Sequence, residues 1–207
     1  MIKKRRFFYD FDREERWLAA MAGQGYELVS RSFSGLYHFR RSEPEDALIR
    51  IDYRTFKSGA DFEDYKVLFE DSGWRHIGGS KNSGAQYFKR IHSSAGDDIF
   101  SDEASKAGRY RRLSNLYSAM AGALAPPVAA MLACGAVKPG AFLDPRLFYQ
   151  TPGLWEKTAS DFWSAFLLET PFALLRGLPA LALIVAFIFT LIYALRSGII
   201  YKRSSGD

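Results

Sequence analysis

The chain has 207 residues, with 28 Lys and Arg against 23 Asp and Glu, a net charge of +5 and a single cysteine. One cysteine excludes an internal disulfide framework and any cysteine-based metal site. The small, mixed charge argues against a nucleic-acid partner, because such a binder concentrates positive charge on one face or helix.

The chain opens with "MIKKRRFFYDFDREERW", which is basic but lacks the apolar core of a secretory signal. Its aromatic run "RRFFYDF" reads as a short strand. Asp12, with Glu15 three residues on, reads as the N-cap of a first helix that carries Trp17, Leu18 and Met21 on one side and stops at Gly23 or Gly25. Residues 26–33 and 36–41 read as two strands linked by a tight hairpin at Ser34–Gly35. "LIRIDYRTF" alternates, with Ile49, Ile51 and Tyr53 on one face, and reads as a further strand. Asp61, followed by Asp64, reads as a second N-cap. The helix after it points Phe62, Tyr65, Leu68 and Phe69 inward and ends at Gly73. "WRHIG" and "AQYFKRI" supply two more strands.

The second half of this stretch echoes the first. Trp17 and Tyr65, Met21 and Phe69, and Gly25 and Gly73 are each 48 positions apart, and Gly35 and Gly84 are 49 apart. The fold class predicted for residues 1–92 is therefore α+β, a tandem strand–helix–strand–strand repeat with an antiparallel sheet and two helices. Two such units share a core that neither could close alone. Gly25 and Gly73 stand where a helix ends in left-handed geometry.

Beyond this domain the composition changes. Residues 1–112 hold 21 of the 28 basic and 18 of the 23 acidic residues. Residues 93–112, polar and then basic, read as a flexible tether whose "RYRR" lies against anionic headgroups. Residues 113–137 and 177–195 contain no charge. Each is long enough to cross roughly 30 Å of hydrocarbon. Pro126 and Pro127 would kink the first span, and its Ala and Gly residues would let a neighbour approach closely, so a homo-oligomer through this span is an expectation. Residues 138–176 read as an external loop with an interfacial amphipathic helix over 154–169, and 196–207 as a basic tail. Arg109, Arg111 and Arg112 before the first span, and Arg196, Lys202 and Arg203 after the second, orient both termini toward the cytoplasm of a plasma-membrane protein.

The words "YDFDREERWLAAMAGQGYELVSRSFSGLYHFRR", "IRIDY", "DYKVLFEDSGW" and "QYFKR", followed by two apolar spans, resemble the bacterial domain-of-unknown-function 2812 family (DUF2812) over roughly residues 5–92. That resemblance implies no settled activity. It implies a membrane-anchored companion of PadR-type transcriptional repressors. The strand–helix–strand–strand layout is also similar to the gyrase-inhibitor-like, ferredoxin-like fold, whose cleft between repeats takes small lipophilic cations in some regulators; this second likeness is one of topology.

Chemistry-bearing patterns are sparse. His38, His76 and His92 follow no metal-ligand spacing, and no phosphate loop or nucleophile elbow is present. The acidic group Asp10, Asp12, Glu14 and Glu15 reads as caps and solvated surface. No enzyme activity, cofactor or metal is expected. The expected partners are the lipid bilayer and a protein, either a regulator or another membrane protein, received by the cytosolic module. The alternative is a sensor of small hydrophobic ligands, its cleft between the two repeats lined by Trp17, Tyr37, Tyr65, Trp74 and Tyr87.

Overall fold

The computed structural model describes residues 1–32, 34–135, 139–142 and 144–205. The predicted strand end at Phe33, the span residues Ala136 and Val137, the loop start at Lys138 and the last two tail residues lie outside them. The chain divides into two compact units. One comprises residues 1–115 with the C-terminal stretch from Leu195, and the other comprises Leu116–Ala194.

The first unit is α+β. Its elements are β1 (Ile2–Arg5), α1 (Phe11–Gly23), β2 (Tyr26–Arg31), β3 (Leu36–Arg41), β4 (Ile49–Tyr53), α2 (Gly59–Asp71), β5 (Trp74–Gly78) and β6 (Ala85–Arg90). The strands form two antiparallel three-stranded sheets, ordered β1-β3-β2 and β4-β6-β5. The two helices have 13 residues each and begin 48 positions apart. Both sheets carry a bulge on an edge strand, between Leu28 and Ser30 in β2 and between His76 and Gly78 in β5. Bulges twist an edge away from further pairing.

Several local expectations are corrected. The first strand is the basic Ile2–Arg5 segment, not the aromatic run after it. Charged residues suit an edge strand, and β1 stands at a sheet edge. The N-cap of α1 is Asp10, whose side chain accepts from the Asp12 and Arg13 amides. The N-cap of α2 is Ser58, in a capping box with Asp61. In each case the acidic residue predicted as the cap, Asp12 or Asp61, lies in the first turn, where it favours the helix dipole instead. Leu68 points outward at 63 % exposure. Phe56, Phe62 and Phe69 do pack on the buried cluster of Tyr65, Trp74 and Phe88. Gly25 and Gly73 have φ of +78° and +85°, and each sits one residue beyond the helix C-cap.

The helix α3 runs Glu103–Ala133 with Pro126 and Pro127 inside it, and α4 runs Ala159–Ser205 as one helix of 47 residues. The tether and the first span are therefore one helix from Glu103 onward. From Ala159 onward the predicted interfacial helix, the second span and the tail as far as Ser205 belong to another helix that is continuous, whereas Leu154–Glu156 forms a separate turn. Asp102 starts α3 by accepting from the Ser105 amide. Between α3 and α4 the described residues form three short 3-10 turns, at Pro139–Phe142, Pro145–Phe148 and Leu154–Glu156. In the second unit Tyr117 packs against Tyr193 at 5.0 Å, and Glu169 accepts from the Gln150 and Thr151 amides, the Thr151 hydroxyl and Arg176.

Candidate functional site

The buried stripe of α1 contains two carboxylates. Phe11, Glu14, Glu15, Leu18, Met21 and Ala22 are all buried and recur at helical spacing of three and four. Glu14 and Glu15 therefore face the interior, and each must be supplied with donors.

Glu14 joins the two sheets. Its Oε1 accepts the hydroxyls of Tyr37 in β3 and Tyr87 in β6, both at 2.6 Å. Arg31 in β2 donates to the Tyr87 oxygen at 3.1 Å, and its Nε lies 3.8 Å from Glu14. Burial, reinforced by the Glu14 charge, pushes both phenols well above the usual tyrosine range. These phenols stay neutral and donate.

Glu15 joins α1 to β4 and α3. Its Oε1 accepts the Ile51 amide at 3.0 Å and Arg109 Nη1 at 2.6 Å. Arg109 is wholly buried. It also donates to the Ile51 carbonyl at 2.8 Å and to Asp12 at 2.6 Å. Its guanidinium lies over the rings of Phe11 and Tyr110, 5.2 Å from each centroid. Burial raises the Glu15 pKa against the lowering effect of Arg109 and Arg50. One turn on, Arg112 donates to the Tyr53 carbonyl and to Asp52, and Asp52 in turn accepts the Tyr65 hydroxyl at 2.9 Å. Tyr110 accepts the Phe11 amide at 3.0 Å and donates to Asp10.

The free edge of β4 is thereby closed by side chains. The Ile51 amide and carbonyl and the Tyr53 carbonyl, which face away from β6, meet Glu15, Arg109 and Arg112. An uncovered edge would invite pairing with another chain. The beginning of α3 is the element that covers it.

The predicted orienting residues thus divide. Arg109 and Arg112 are committed to carboxylates and carbonyls of the α+β unit. Arg111 is exposed and lies 5.9 Å from the Tyr201 ring. Arg196 is exposed over Tyr9 at 4.8 Å, and Lys202 and Arg203 are exposed in the last turn of α4.

The five aromatics expected to line a cleft do not meet in one. Trp17 packs edge-on against Tyr37 at 4.8 Å, Tyr37 and Tyr87 converge on Glu14, and Tyr65 and Trp74 lie in the cluster with Phe88. Four of the five are buried. A cleft does exist where the two halves adjoin, with a volume of about 440 Å³. Leu18, Leu28, Ile49 and Ile77 form its apolar wall, with Glu43 and Lys89 beside them, and none of the five aromatics lines it. Glu14, Glu15, Asp12, Asp52 and Arg31 were missed as site residues. The three-and-four spacing of Glu14 and Glu15 with Leu18 and Met21 was the signal that could have found the first two.

Two helices, α3 and α4, are long and apolar enough to cross a membrane, with mean hydropathy of 1.5 and 2.5 over their most apolar windows. Only 17 % of each window is buried within the described residues. Among those residues no group of three or more His, Cys, Asp or Glu could hold a metal ion. In comparisons with known proteins, the profile of a family described as "Protein of unknown function (DUF2812)" matches residues 10–121. No curated protein and no solved structure matches the chain.

Proposed function

The chain belongs to the DUF2812 family, and we propose that it is a plasma-membrane protein whose α+β domain is a cytoplasmic regulatory module. α3 and α4 cross the bilayer, and both termini lie in the cytoplasm. The module receives a protein partner, either a transcriptional regulator or a membrane transporter, and its state reaches the bilayer through α3. The observation that carries this reading is the burial of Arg109. A residue of the helix that leads into the uncharged stretch is fixed by Glu15, Asp12 and the Ile51 carbonyl inside the domain. A passive anchor needs only a loose tether, whereas a helix locked to the sheet edge transmits force. The basic flanks at Arg111, Arg196, Lys202 and Arg203 support the orientation. Crosslinking in native membranes from the exposed face of α2, at Val67 or Leu68, tests the reading. A specific protein adduct is expected, and its absence under conditions that crosslink known membrane complexes contradicts it.

A second reading is favoured by the cleft of about 440 Å³ between the halves. Its apolar wall beside Glu43 suits a small hydrophobic molecule bearing a positive charge. Thermal shifts of the full chain across a panel of hydrophobic cations test it. Stabilisation that Ile77→Asp abolishes supports the sensor, and a flat panel rejects it.

A further inference from the structure

With Arg109 and Arg112 committed to carboxylates, the positive charge available to a membrane surface lies elsewhere. A concave patch of about 540 Å³ is formed by the segment before α1 and the outward face of that helix. It is lined by Arg6, Phe7, Tyr9, Arg13, Arg16 and Trp17, among others.

Its three guanidiniums are poorly neutralised. Arg6 lies over the rings of Phe8 and Trp17 at 5.4 and 5.5 Å, held by ring faces and not by a carboxylate. Arg13 is 64 % exposed, and its nearest carboxylate, Asp10 at 3.4 Å, already caps α1 and accepts from Tyr110. Arg16 is exposed and makes no ion pair among the described residues. Phe7 beside them is 54 % exposed. Tyr9, on the same patch, carries the Arg196 guanidinium at 4.8 Å, and Arg196 is the first charged residue after the uncharged stretch 177–195. The patch is therefore fixed next to the residue at which α4 regains charge.

We propose that this patch docks onto the headgroups of anionic phospholipids in the leaflet that faces the domain. The inference rests on the membrane-anchored reading above. Guanidinium forks match phosphate oxygens in bidentate geometry, and an exposed aromatic ring beside them settles at headgroup depth. A soluble phosphate compound offers the same anion, but it would make no use of Phe7 or of the proximity to Arg196. Docking holds the outward face of α1 against the bilayer, while Glu14 and Glu15 on its inner face stay in the core. The module's orientation then depends on the local content of anionic lipid.

The experiment compares full-length protein in nanodiscs of phosphatidylcholine alone and of phosphatidylcholine with phosphatidylglycerol. Amide exchange at residues 7–10 is the readout. Slower exchange in the anionic discs is expected. Each arginine contributes about fivefold to docking near an anionic surface, so Arg16→Gln should cut the lipid effect by about that factor. The triple variant R6Q/R13Q/R16Q should abolish it, and Arg41→Gln should leave it unchanged. Each variant is compared with itself in the two lipids, so a local change in folding cancels. Equal exchange in both discs overturns the proposal while leaving the anchored reading intact. Slowing by millimolar inorganic phosphate in neutral discs assigns the patch to a soluble anion and likewise overturns it. A chain that fails to co-fractionate with the discs overturns both.

Discussion

Arg109, Arg111 and Arg112 fall within four positions that the sequence presents as one basic cluster, yet they occupy different environments and should respond differently to truncation. Arg109→Ala removes one partner of a buried pair. Glu15, 5 % exposed, keeps only the Ile51 amide and Arg50 at 3.7 Å, and the Ile51 carbonyl loses its donor. Removing one partner of a buried ion pair costs about 3–5 kcal/mol. At about 4–8 °C per kcal/mol for a domain of this size, melting should fall by roughly 12 °C or more. Arg112→Ala breaks a half-buried contact and should cost about 1–3 kcal/mol. Arg111→Ala, on an exposed side chain, should stay within about 0.5 kcal/mol. The assay is thermal melting of the full chain in detergent together with amide exchange at Ile51. Adding Glu15→Gln to Arg109→Ala should recover part of the loss, because the double variant no longer buries a carboxylate that has lost its closest cation. Equal effects of Arg109→Ala and Arg111→Ala, with unchanged protection at Ile51, would refute the assignment of Arg109 as the latch.

Tyr87→Phe should cost about 1.5–3 kcal/mol in denaturant unfolding, because it removes a hydrogen bond to a buried carboxylate. Alkaline pH should destabilise the domain. The phenols of Tyr37, Tyr65, Tyr87 and Tyr110 are all raised by burial, so above the ordinary tyrosine pKa the unfolded chain loses protons that the fold retains. Stability is then complete below about pH 10 and falls above it, by about 1.4 kcal/mol per pH unit for each phenol, and phenolate absorbance should rise together with unfolding. Gly25→Ala and Gly73→Ala should each cost at least about 1–2 kcal/mol for the left-handed backbone. A Cβ at these positions would also sit 2.9 Å from the Ser42 carbonyl and 2.8 Å from Ala95, whereas Gly59 has open space and Gly59→Ala should be neutral or stabilising in the same melts.

The glycines, the aromatic periodicity and the alternation at Ile49, Ile51 and Tyr53 made the helix stops and most strands legible, because backbone conformation and core packing leave local marks. β1 was not legible, since an edge strand built from Lys3, Lys4 and Arg5 shows no alternation of polarity. The start of α3 was misread for a related reason. "SDEASKAGRYRR" is polar enough for a tether, but Ala107, Arg109, Tyr110, Leu113 and Tyr117 recur on one buried stripe once Arg109 is allowed inside. The same holds for Glu14 and Glu15, which read as solvated until their helical register with Leu18 and Met21 is taken seriously. A carboxylate or guanidinium is buried only when its partners arrive from distant segments. Those partners, Ile51 and Arg109 for Glu15 and Tyr87 for Glu14, are set by tertiary contacts that no local pattern records. Of the aromatics expected to face a cleft, Tyr37 and Tyr87 are core because their hydroxyls answer Glu14, and Tyr65 because its hydroxyl answers Asp52.

The central claim, an α+β module held on the cytoplasmic side by α3 and α4, is tested most directly at Cys134. This single exposed cysteine lies just beyond the last residue of α3, at the end of the uncharged stretch 113–137 that is farther from Arg112. A membrane-impermeant maleimide applied to intact cells should label it, whereas C134S/S204C, with its thiol in the last turn of α4, should be labelled only after the cells are opened. Labelling of position 204 from outside, or protection of Cys134 on intact cells with labelling only after opening, would contradict the account.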